Sequence, residues 1–267
     1  MTIRSGSGRR SGGGSGVVLT NDRVITNAHV LQGGGAATVE SWEGKSVSAQ
    51  VVRVNQARDL ALLSVAGLDS PAIQFGDSDD LRAGTPVMAI GNPLGFTGAV
   101  SSGVVHAASA ALKGMYRWIC ADVRLAPGNS GGPLADLQGR VIGINTMVIS
   151  GGLALAVPSR AVQGFIARDK HPAKLGVTLR PVTPRRGEAG MMILEIETGG
   201  AADNASLLPG DILLTANGRG LHFLDDLQTA VGESAGALLR LEFCRGGEAR
   251  RRQVSVQLAP ERATAAA

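Results

Sequence analysis

The sequence predicts a mostly β protein with two domains, and three observations support this prediction. The chain has 267 residues, more than the ~100–200 residues of one common domain. It contains 38 glycines, and short runs of Val, Ile and Leu recur between turn signals, which is typical of antiparallel sheets. Aromatic side chains are few, with two tryptophans, one tyrosine and five phenylalanines, so the cores must consist mainly of aliphatic residues.

We expect the first domain to span residues 14–168, after a flexible tail of Gly, Ser and Arg at residues 1–13. A helix capped by Ser159 is predicted over Arg160–Arg168, because apolar residues recur there at helical spacing. The apolar runs before this helix are spaced as in an antiparallel barrel or sandwich. They lie at residues 17–19, 47–54, 60–65, 87–90, 100–105, 141–144 and 153–157.

A linker at residues 169–173 leads into a second β-rich domain at residues 174–260, and residues 261–267 form a C-terminal tail. One helix is predicted in this domain, over Leu224–Val231, because its apolar residues recur at helical spacing. One face of that helix carries Leu224, Leu227, Gln228 and Val231.

Composition argues against several classes of ligand. The net charge is +4, and the densest basic cluster, Arg250–Arg252, has no base-stacking aromatic residues near it. We therefore expect a charged strand edge there and no nucleic-acid partner. Cys120 and Cys244 fall in different predicted domains, so no disulfide is expected. Metal-ligand spacings and a phosphate-binding loop are absent from the sequence, and we expect neither a metal nor a cofactor.

The strongest chemical signal is the segment GNSGGPL at residues 128–134. A serine hydroxyl becomes a nucleophile where a base removes its proton and donors stabilise the oxyanion. Glycines around Ser130 allow a tight turn that exposes its hydroxyl and aims backbone N–H groups at one point. An ordinary glycine-rich hairpin is the alternative interpretation of the same segment.

The base for such a serine is expected to be a histidine, because imidazole exchanges protons near neutral pH. His29 ends a short strand that would hold its ring rigidly. His106 closes an apolar strand, His171 lies in the predicted linker, and His222 lies beyond the first domain. We therefore predict that His29 is the base.

An orienting carboxylate is expected on another strand, between the base and the nucleophile. Asp59 begins the apolar run DLALLSV, and a carboxylate at the edge of a core is costly unless a group such as an imidazole N–H pairs with it. Asp77, Asp79 and Asp80 lie in a polar turn, where we expect them to be solvated. The alternative role for Asp59 is capping of the turn before its strand.

Five segments in this order resemble the HtrA/Deg family of serine proteases: TNAHV (26–30), DLALL (59–63), FGDSDDLRAGTPVMAIGNPLG (75–95), GNSGGPL (128–134) and GRVIGINT (139–146). The resemblance implies a chymotrypsin-like double β-barrel with the active site between the barrels. It implies that His29 is base and then acid, Asp59 the orienting residue and Ser130 the nucleophile. The backbone N–H groups of Gly128 and Ser130, with Asn129 between them, would form the oxyanion hole.

The resemblance also places a primary specificity pocket at Arg124, Leu125, Gly151 and Leu153. The family usually has small, uncharged residues where Val123 and Arg124 stand. If Arg124 points inward, an acidic residue before the scissile bond is favoured by charge complementarity. If it points outward, the remaining residues leave a small apolar pocket. We favour the apolar pocket, because an unpaired buried guanidinium is costly.

In the second domain, Lys174, Leu175, Gly176 and Val177 resemble the carboxylate-binding loop of PDZ domains. SLLPGDIL (206–213) and ANG (216–218) also resemble the PDZ turn and strand. In PDZ domains a C-terminal carboxylate binds the loop, and the peptide adds to the sheet as an edge strand. The resemblance thus implies a PDZ-like α+β domain, for which a β domain that only caps the protease is the alternative.

These observations predict an ATP-independent serine endopeptidase that cuts unfolded or misfolded proteins through an acyl-enzyme, with a PDZ domain that binds C-terminal peptides. A peptide-binding chaperone or scaffold with a silent protease domain is the main alternative, and processing of one regulatory protein is a third. The resemblance favours the periplasm or cell envelope, but residues 1–16 lack the apolar core of an export signal, so a cytoplasmic location stays open. Family members commonly form homotrimers, although no aromatic residue precedes Trp42 to support a trimer here.

Overall fold

The computed structural model describes residues 1–6, 12–31, 37–112, 116–149, 151–170, 174–183, 189–234, 236–246 and 250–258. His171 and the predicted C-terminal tail lie outside the described residues. The chain divides into two compact units, Met1–Ala110 with Trp118–Val162, and Ala111–Arg117 with Gln163–Ala267. The predicted fold class, mostly β with barrel-like sheets followed by an α+β domain, is confirmed.

The first sheet is antiparallel and has an aliphatic core. Its described strands are β1 (Thr2–Ser5), β2 (Gly12–Ser15), β3 (Val17–Thr20), β4 (Arg23–Thr26), β5 (Ala37–Glu40), β6 (Ser46–Asn55) and β7 (Leu60–Val65). They neighbour one another in the order β2-β1-β5-β6-β7-β4-β3. Ile3, Val24, Val39 and Leu63 are fully buried between them.

Residues 2–5 form strand β1, although composition predicts a flexible tail there. β1 pairs with β2 on one side and with β5 on the other. The Ile3 side chain is completely buried, and the Ser5 hydroxyl donates to the Val30 carbonyl at 2.6 Å. An alternation of only four residues, TIRS, is too short to stand out from its Gly, Ser and Arg neighbours, so the sequence pattern conceals the strand.

The second sheet closes into a barrel. Its described strands are β8 (Pro86–Gly91), β9 (Ala99–Leu112), β10 (Tyr116–Asp122), β11 (Pro133–Ala135), β12 (Val141–Val148) and β13 (Ala154–Pro158), in the closed order β10-β13-β12-β11-β8-β9. Small and branched aliphatic residues such as Val87, Ile119 and Ile142 fill it. Helix α1 (Ser159–Lys170) follows, and it includes Asp169 and Lys170, which the sequence assigns to the linker.

The last sheet and its helices make an α+β domain. Its elements are β14 (Val177–Val182), β15 (Gly190–Ile196), α2 (Ala201–Asn204), β16 (Ile212–Ala216), β17 (Arg219–Gly220), α3 (Leu224–Glu233), β18 (Leu238–Cys244) and β19 (Arg252–Gln257). The sheet order is β14-β15-β16-β18-β19, with β17 paired to β16, so β14 and β19 are its edges among the described strands. Within the described part of the chain, no helix is both long and apolar enough to cross a membrane.

Candidate active site

A short turn positions His29. Strand β4 ends at Thr26, and a single 3₁₀ turn, His29–Leu31, begins three residues later. Val30 anchors this turn because its side chain is buried, and the Leu31 N–H donates to the Ala28 carbonyl at 3.1 Å. The His29 side chain remains 38% exposed, so its ring is held firmly yet stays accessible.

Asp59 meets His29 through two contacts. The Asp59 backbone has φ 54°, a left-handed conformation that aspartate adopts more readily than most residues. The Asn27 side-chain amide donates to the Asp59 carbonyl at 2.8 Å and holds this turn. The backbone N–H of His29 donates to Asp59 Oδ1 at 2.9 Å, and His29 Nδ1 lies 2.7 Å from Asp59 Oδ2.

Thr146, at the middle of β12, completes the environment of this carboxylate. Its hydroxyl donates to Asp59 Oδ2. Burial raises the pKa of the Asp59 carboxyl, but the hydrogen bonds from His29 and Thr146 outweigh burial and hold that pKa below its ordinary value. An ionised carboxylate facing Nδ1 favours the tautomer with the proton on Nδ1, which leaves Nε2 of His29 free to accept a proton.

The nucleophile loop between β10 and β11 is held by backbone hydrogen bonds on both sides of Ser130. The Ser130 carbonyl accepts from the Ser15 N–H at 2.7 Å, and the Gly131 N–H donates to the Asn145 carbonyl at 2.9 Å. Gly131 has φ 83°, and a Cβ at this position would collide with the Ser15 carbonyl oxygen. Only glycine therefore fits directly after Ser130.

The predicted oxyanion-hole residues form one turn. Gly128 has φ 105°, and a Cβ there would lie 2.6 Å from the Asn92 carbonyl oxygen. The Asn129 N–H is occupied, since it donates to the Ala126 carbonyl at 3.0 Å. The N–H groups of Gly128 and Ser130, in contrast, donate to no acceptor among the described residues. Two neighbouring unused amides are what an oxyanion requires.

The hydroxyl of Ser130 is turned away from the imidazole in this structure. Ser130 Oγ donates to the Thr146 carbonyl at 2.9 Å, and no hydrogen bond joins it to His29 among the described contacts. Thr146 nevertheless touches both Ser130 and Asp59, so the three predicted residues lie around one strand position. Rotation of the Ser130 side chain moves its hydroxyl between staggered positions, and catalytic hydrogen bonds often form only with substrate bound.

Ser15 is a residue of this site that the sequence analysis missed. Its side chain is 1% exposed, and its hydroxyl donates to the Gly128 carbonyl at 2.7 Å and accepts from the Asn92 N–H at 2.9 Å. Its own carbonyl accepts from the Thr26 hydroxyl at 2.7 Å. Ser15 thus ties the oxyanion turn to the first sheet. The sequence marks Ser15 only by its position between two glycines. The preceding tail is rich in the same two residue types, so this position does not distinguish Ser15.

The four residues assigned to the specificity pocket differ in exposure. The Arg124 and Gly151 positions are exposed, whereas Leu125 and Leu153 are half-buried. Leu125 packs against the core of the closed barrel. With Arg124 exposed, the remaining residues leave a small apolar pocket. An apolar specificity pocket therefore stays our prediction. No group of three or more His, Cys, Asp or Glu side chains that could hold a metal occurs within the described part of the chain.

The second candidate site is a groove of about 420 Å³ between β14 and α3. All four predicted loop residues line it, from Lys174 to Val177, and Gly176 makes the turn with φ 75°. The four residues predicted to share a face of the helix, Leu224, Leu227, Gln228 and Val231, form the opposite wall. Because β14 is an edge strand, its outer N–H and C=O groups are available to a further strand.

Comparisons with known proteins agree with this division of sites. Residues 14–144 match the family model of a trypsin-like peptidase domain, and residues 173–258 match that of a PDZ domain. A serine protease named HhoB from Synechocystis is 32% identical over 253 residues, covering 84% of this chain and 61% of that protein. A periplasmic serine endoprotease of DegP-like type from Marinomonas is 35% identical over 246 residues, covering 85% and 52%.

The chain therefore spans about half to three-fifths of the length of these curated relatives. Among solved structures, the HtrA-type protease AlgW with a tripeptide is similar over 97% of this chain and 92% of its own, with a TM-score of 0.69 and 28% identity. The same protease with a decapeptide gives a TM-score of 0.69 at 27% identity, over 94% of this chain and 83% of that one.

Proposed function

Because the chain belongs to the HtrA-type serine proteases, with a trypsin-like peptidase domain followed by one PDZ domain, we propose that it is a serine endopeptidase. The proposed catalytic residues are His29, Asp59 and Ser130. The observation that carries this proposal is the 2.7 Å contact between His29 and Asp59, with Thr146 in contact with both Asp59 and Ser130.

In the proposed reaction the Ser130 hydroxyl leaves the Thr146 carbonyl and turns to Nε2 of His29. His29 takes the hydroxyl proton as Ser130 attacks the peptide carbonyl, and the N–H groups of Gly128 and Ser130 receive the oxyanion. The imidazolium, stabilised by Asp59, then protonates the leaving amine. Water, deprotonated by the same imidazole, hydrolyses the acyl-enzyme and restores Ser130.

We also propose that the substrates are unfolded or misfolded proteins in the periplasm or cell envelope. Cleavage in an open cleft needs an extended backbone, and curated relatives are named as periplasmic serine endoproteases. The groove between β14 and α3 is proposed to bind C-terminal peptides, because it combines a glycine turn, an edge strand and apolar walls from Leu227 and Val231.

One observation favours the alternative, a peptide-binding protein with a silent protease domain. Among the described contacts, the Ser130 hydroxyl donates to the Thr146 carbonyl and forms no hydrogen bond with His29. Casein cleavage by the full chain and by its Ser130→Ala variant separates the two functions. We expect Ser130→Ala to lose on the order of 10⁶ in turnover, the scale known for a missing triad serine.

Labelling with a fluorophosphonate tests the base directly. We expect covalent attachment at Ser130 in the wild type and its loss in His29→Ala. His106→Ala is a matched control, because His106 is an exposed histidine on β9. Equal labelling of all three proteins, or casein cleavage by Ser130→Ala, would refute the catalytic assignment.

A further inference from the structure

The edge strand of the groove carries charge on the face that is turned away from α3. Side chains alternate along β14, with Leu179 buried and Thr178 and Arg180 exposed. Val177 and Leu179 belong to the apolar side, where they line the groove and pack against the domain core. Thr178 and Arg180 therefore mark the outer face of β14.

Acidic residues of β15 and the turn after it lie beside the beginning of β14. Thr178 stands opposite Glu195 in the register of the two strands, and its hydroxyl lies 3.4 Å from Glu195 Oε2. The Glu197 N–H donates to the Gly176 carbonyl at 2.9 Å, so this second carboxylate flanks the loop. Both glutamates are exposed and line the groove. Arg180, further along, stands opposite the uncharged Met192.

This inference rests on the proposed binding of C-terminal peptides. The loop Lys174–Val177 precedes β14, so a peptide whose carboxylate sits there must run antiparallel to β14. Its last residue then lies opposite Val177, its penultimate residue opposite Thr178, and its fourth residue from the end opposite Arg180. Directly opposed residues project on the same face of a sheet. The penultimate and fourth-last side chains thus lie on the charged outer face.

We propose that the groove selects C-termini with a basic penultimate residue, read by Glu195, and an acidic residue fourth from the end, read by Arg180. The intervening residue and the last residue face α3 and are apolar. Exposed ion pairs change an affinity by about 2–5-fold each, so the two pairs together change Kd by about 4–25-fold. Glu197 adds a second carboxylate near the basic penultimate residue, and its charge acts in the same direction as that of Glu195.

Two labelled decapeptides of identical composition test the proposal by fluorescence anisotropy. One ends in Asp-Val-Lys-Val and the other in Lys-Val-Asp-Val, and the full chain carries Ser130→Ala to prevent cleavage. We expect the first peptide to bind about 4–25-fold more tightly, with a ratio that shrinks as salt is added. The double variant Glu195→Lys, Arg180→Glu is expected to reverse the preference. The double variant Glu233→Lys, Arg219→Glu exchanges the same two charges in an exposed ion pair that does not line the groove, and it should retain the preference.

The outcomes separate this inference from the function on which it rests. Equal Kd values for the two peptides, with binding lost when their C-termini are amidated, would overturn the charge assignment and leave peptide binding intact. A preference that survives the double variant would also overturn it. Binding of neither peptide, nor of the same pair ending in Leu or Phe, would overturn the proposed groove function and this inference together.

Discussion

At Asp59, burial and hydrogen bonding act on one carboxyl in opposite directions. Burial raises its pKa, while His29 and Thr146 lower it, and the hydrogen bonds prevail. Its pKa in the folded chain is therefore below the ordinary 3.8. Ionisation of Asp59 stabilises the fold fully above the unfolded pKa, and this stabilisation is lost as the pH falls through the folded pKa.

Thr146→Ala tests this balance because it removes one of the hydrogen bonds to the charged form. We expect the free energy of unfolding to fall by about 1.5–3 kcal/mol near pH 7, the range for a hydrogen bond to a charged group. The difference from the wild type should shrink as the pH falls through the lowered folded-state pKa of Asp59, where the carboxyl becomes protonated. Urea unfolding near pH 7 and near pH 3 measures this change. A difference that stays constant with pH would contradict the assignment.

Ser15→Ala tests the tie between the oxyanion turn and the first sheet. The substitution leaves the Gly128 carbonyl without its donor and the Asn92 N–H without its acceptor, so the turn loses its fixed position. We expect kcat to fall about 10–100-fold with KM almost unchanged, less than for loss of a direct oxyanion donor. Steady-state kinetics on a chromogenic peptide measures both constants.

Ser159→Ala is the matched control for that experiment. Its buried hydroxyl also donates to a carbonyl at 2.7 Å, that of Gly76, but Ser159 lies in α1, and none of its hydrogen bonds among the described residues involves the proposed site. A fall in kcat of the same size in both variants would mean that Ser15 acts through general stability alone.

The sequence predicted candidate catalytic residues more readily than it predicted the residues that hold them. His29, Asp59 and Ser130 were recognisable because few side chains can perform proton transfer and nucleophilic attack, and each stood at a strand end or a glycine turn. Ser15 and Thr146 act through hydrogen bonds to residues distant in the chain. Small hydroxyl residues have many surface and turn roles, so their partners emerge only from the tertiary structure.

At the scale of elements, β1 stabilises the first sheet, although its composition resembles that of a flexible tail. Ile3 is enclosed by the first sheet and contributes to the same core as Val18, Val24 and Val39. Strands β2 and β5 both pair with β1, which lies between them, so its loss would separate them. The N-terminal residues 2–5 are therefore structural.

Ile3→Ala is expected to lower the free energy of unfolding of the first unit by about 2–5 kcal/mol, the cost of a cavity in a tight core. Arg4→Ala, in the same strand, is the control, because that side chain is 70% exposed and makes only a surface ion pair with Glu40. Chemical denaturation followed by tryptophan fluorescence compares the two. Equal and small effects would show that β1 does not support the sheet.

Strand lengths were harder to predict than strand positions. β9 continues from Ala99 to Leu112, whereas the apolar run predicts residues 100–105. The continuation is rich in Ala, which has a low intrinsic strand preference, so the apolar run alone did not indicate it. Helix α3 was predictable to within two residues at its C-terminal end, since its apolar face recurs at the helical period.

At the scale of the whole molecule, each core cluster of the described residues belongs to one unit. One such cluster consists of residues from Leu175 to Leu258, and two consist of residues of the first unit. Core substitutions should therefore act on different unfolding transitions. We expect Leu213→Ala to lower the transition of the second unit and Ile142→Ala that of the first, each by about 2–5 kcal/mol. Differential scanning calorimetry measures this, and a single transition shifted equally by both would contradict it.

The two borders of the last sheet are chemically unlike. β14 is an edge strand whose outer backbone groups lie beside the groove. β19, at the other edge, begins at Arg252, directly after two further exposed arginines. Were both edges uncharged, one copy could join its β19 to the β14 of the next, a head-to-tail contact that forms a ring or an open fibre. An antiparallel joining brings the arginines at the start of β19 towards Arg180 on β14, and like charges on opposed strands disfavour it. The edge of β14 can thus remain available to an added peptide strand while self-association through the same edge is disfavoured.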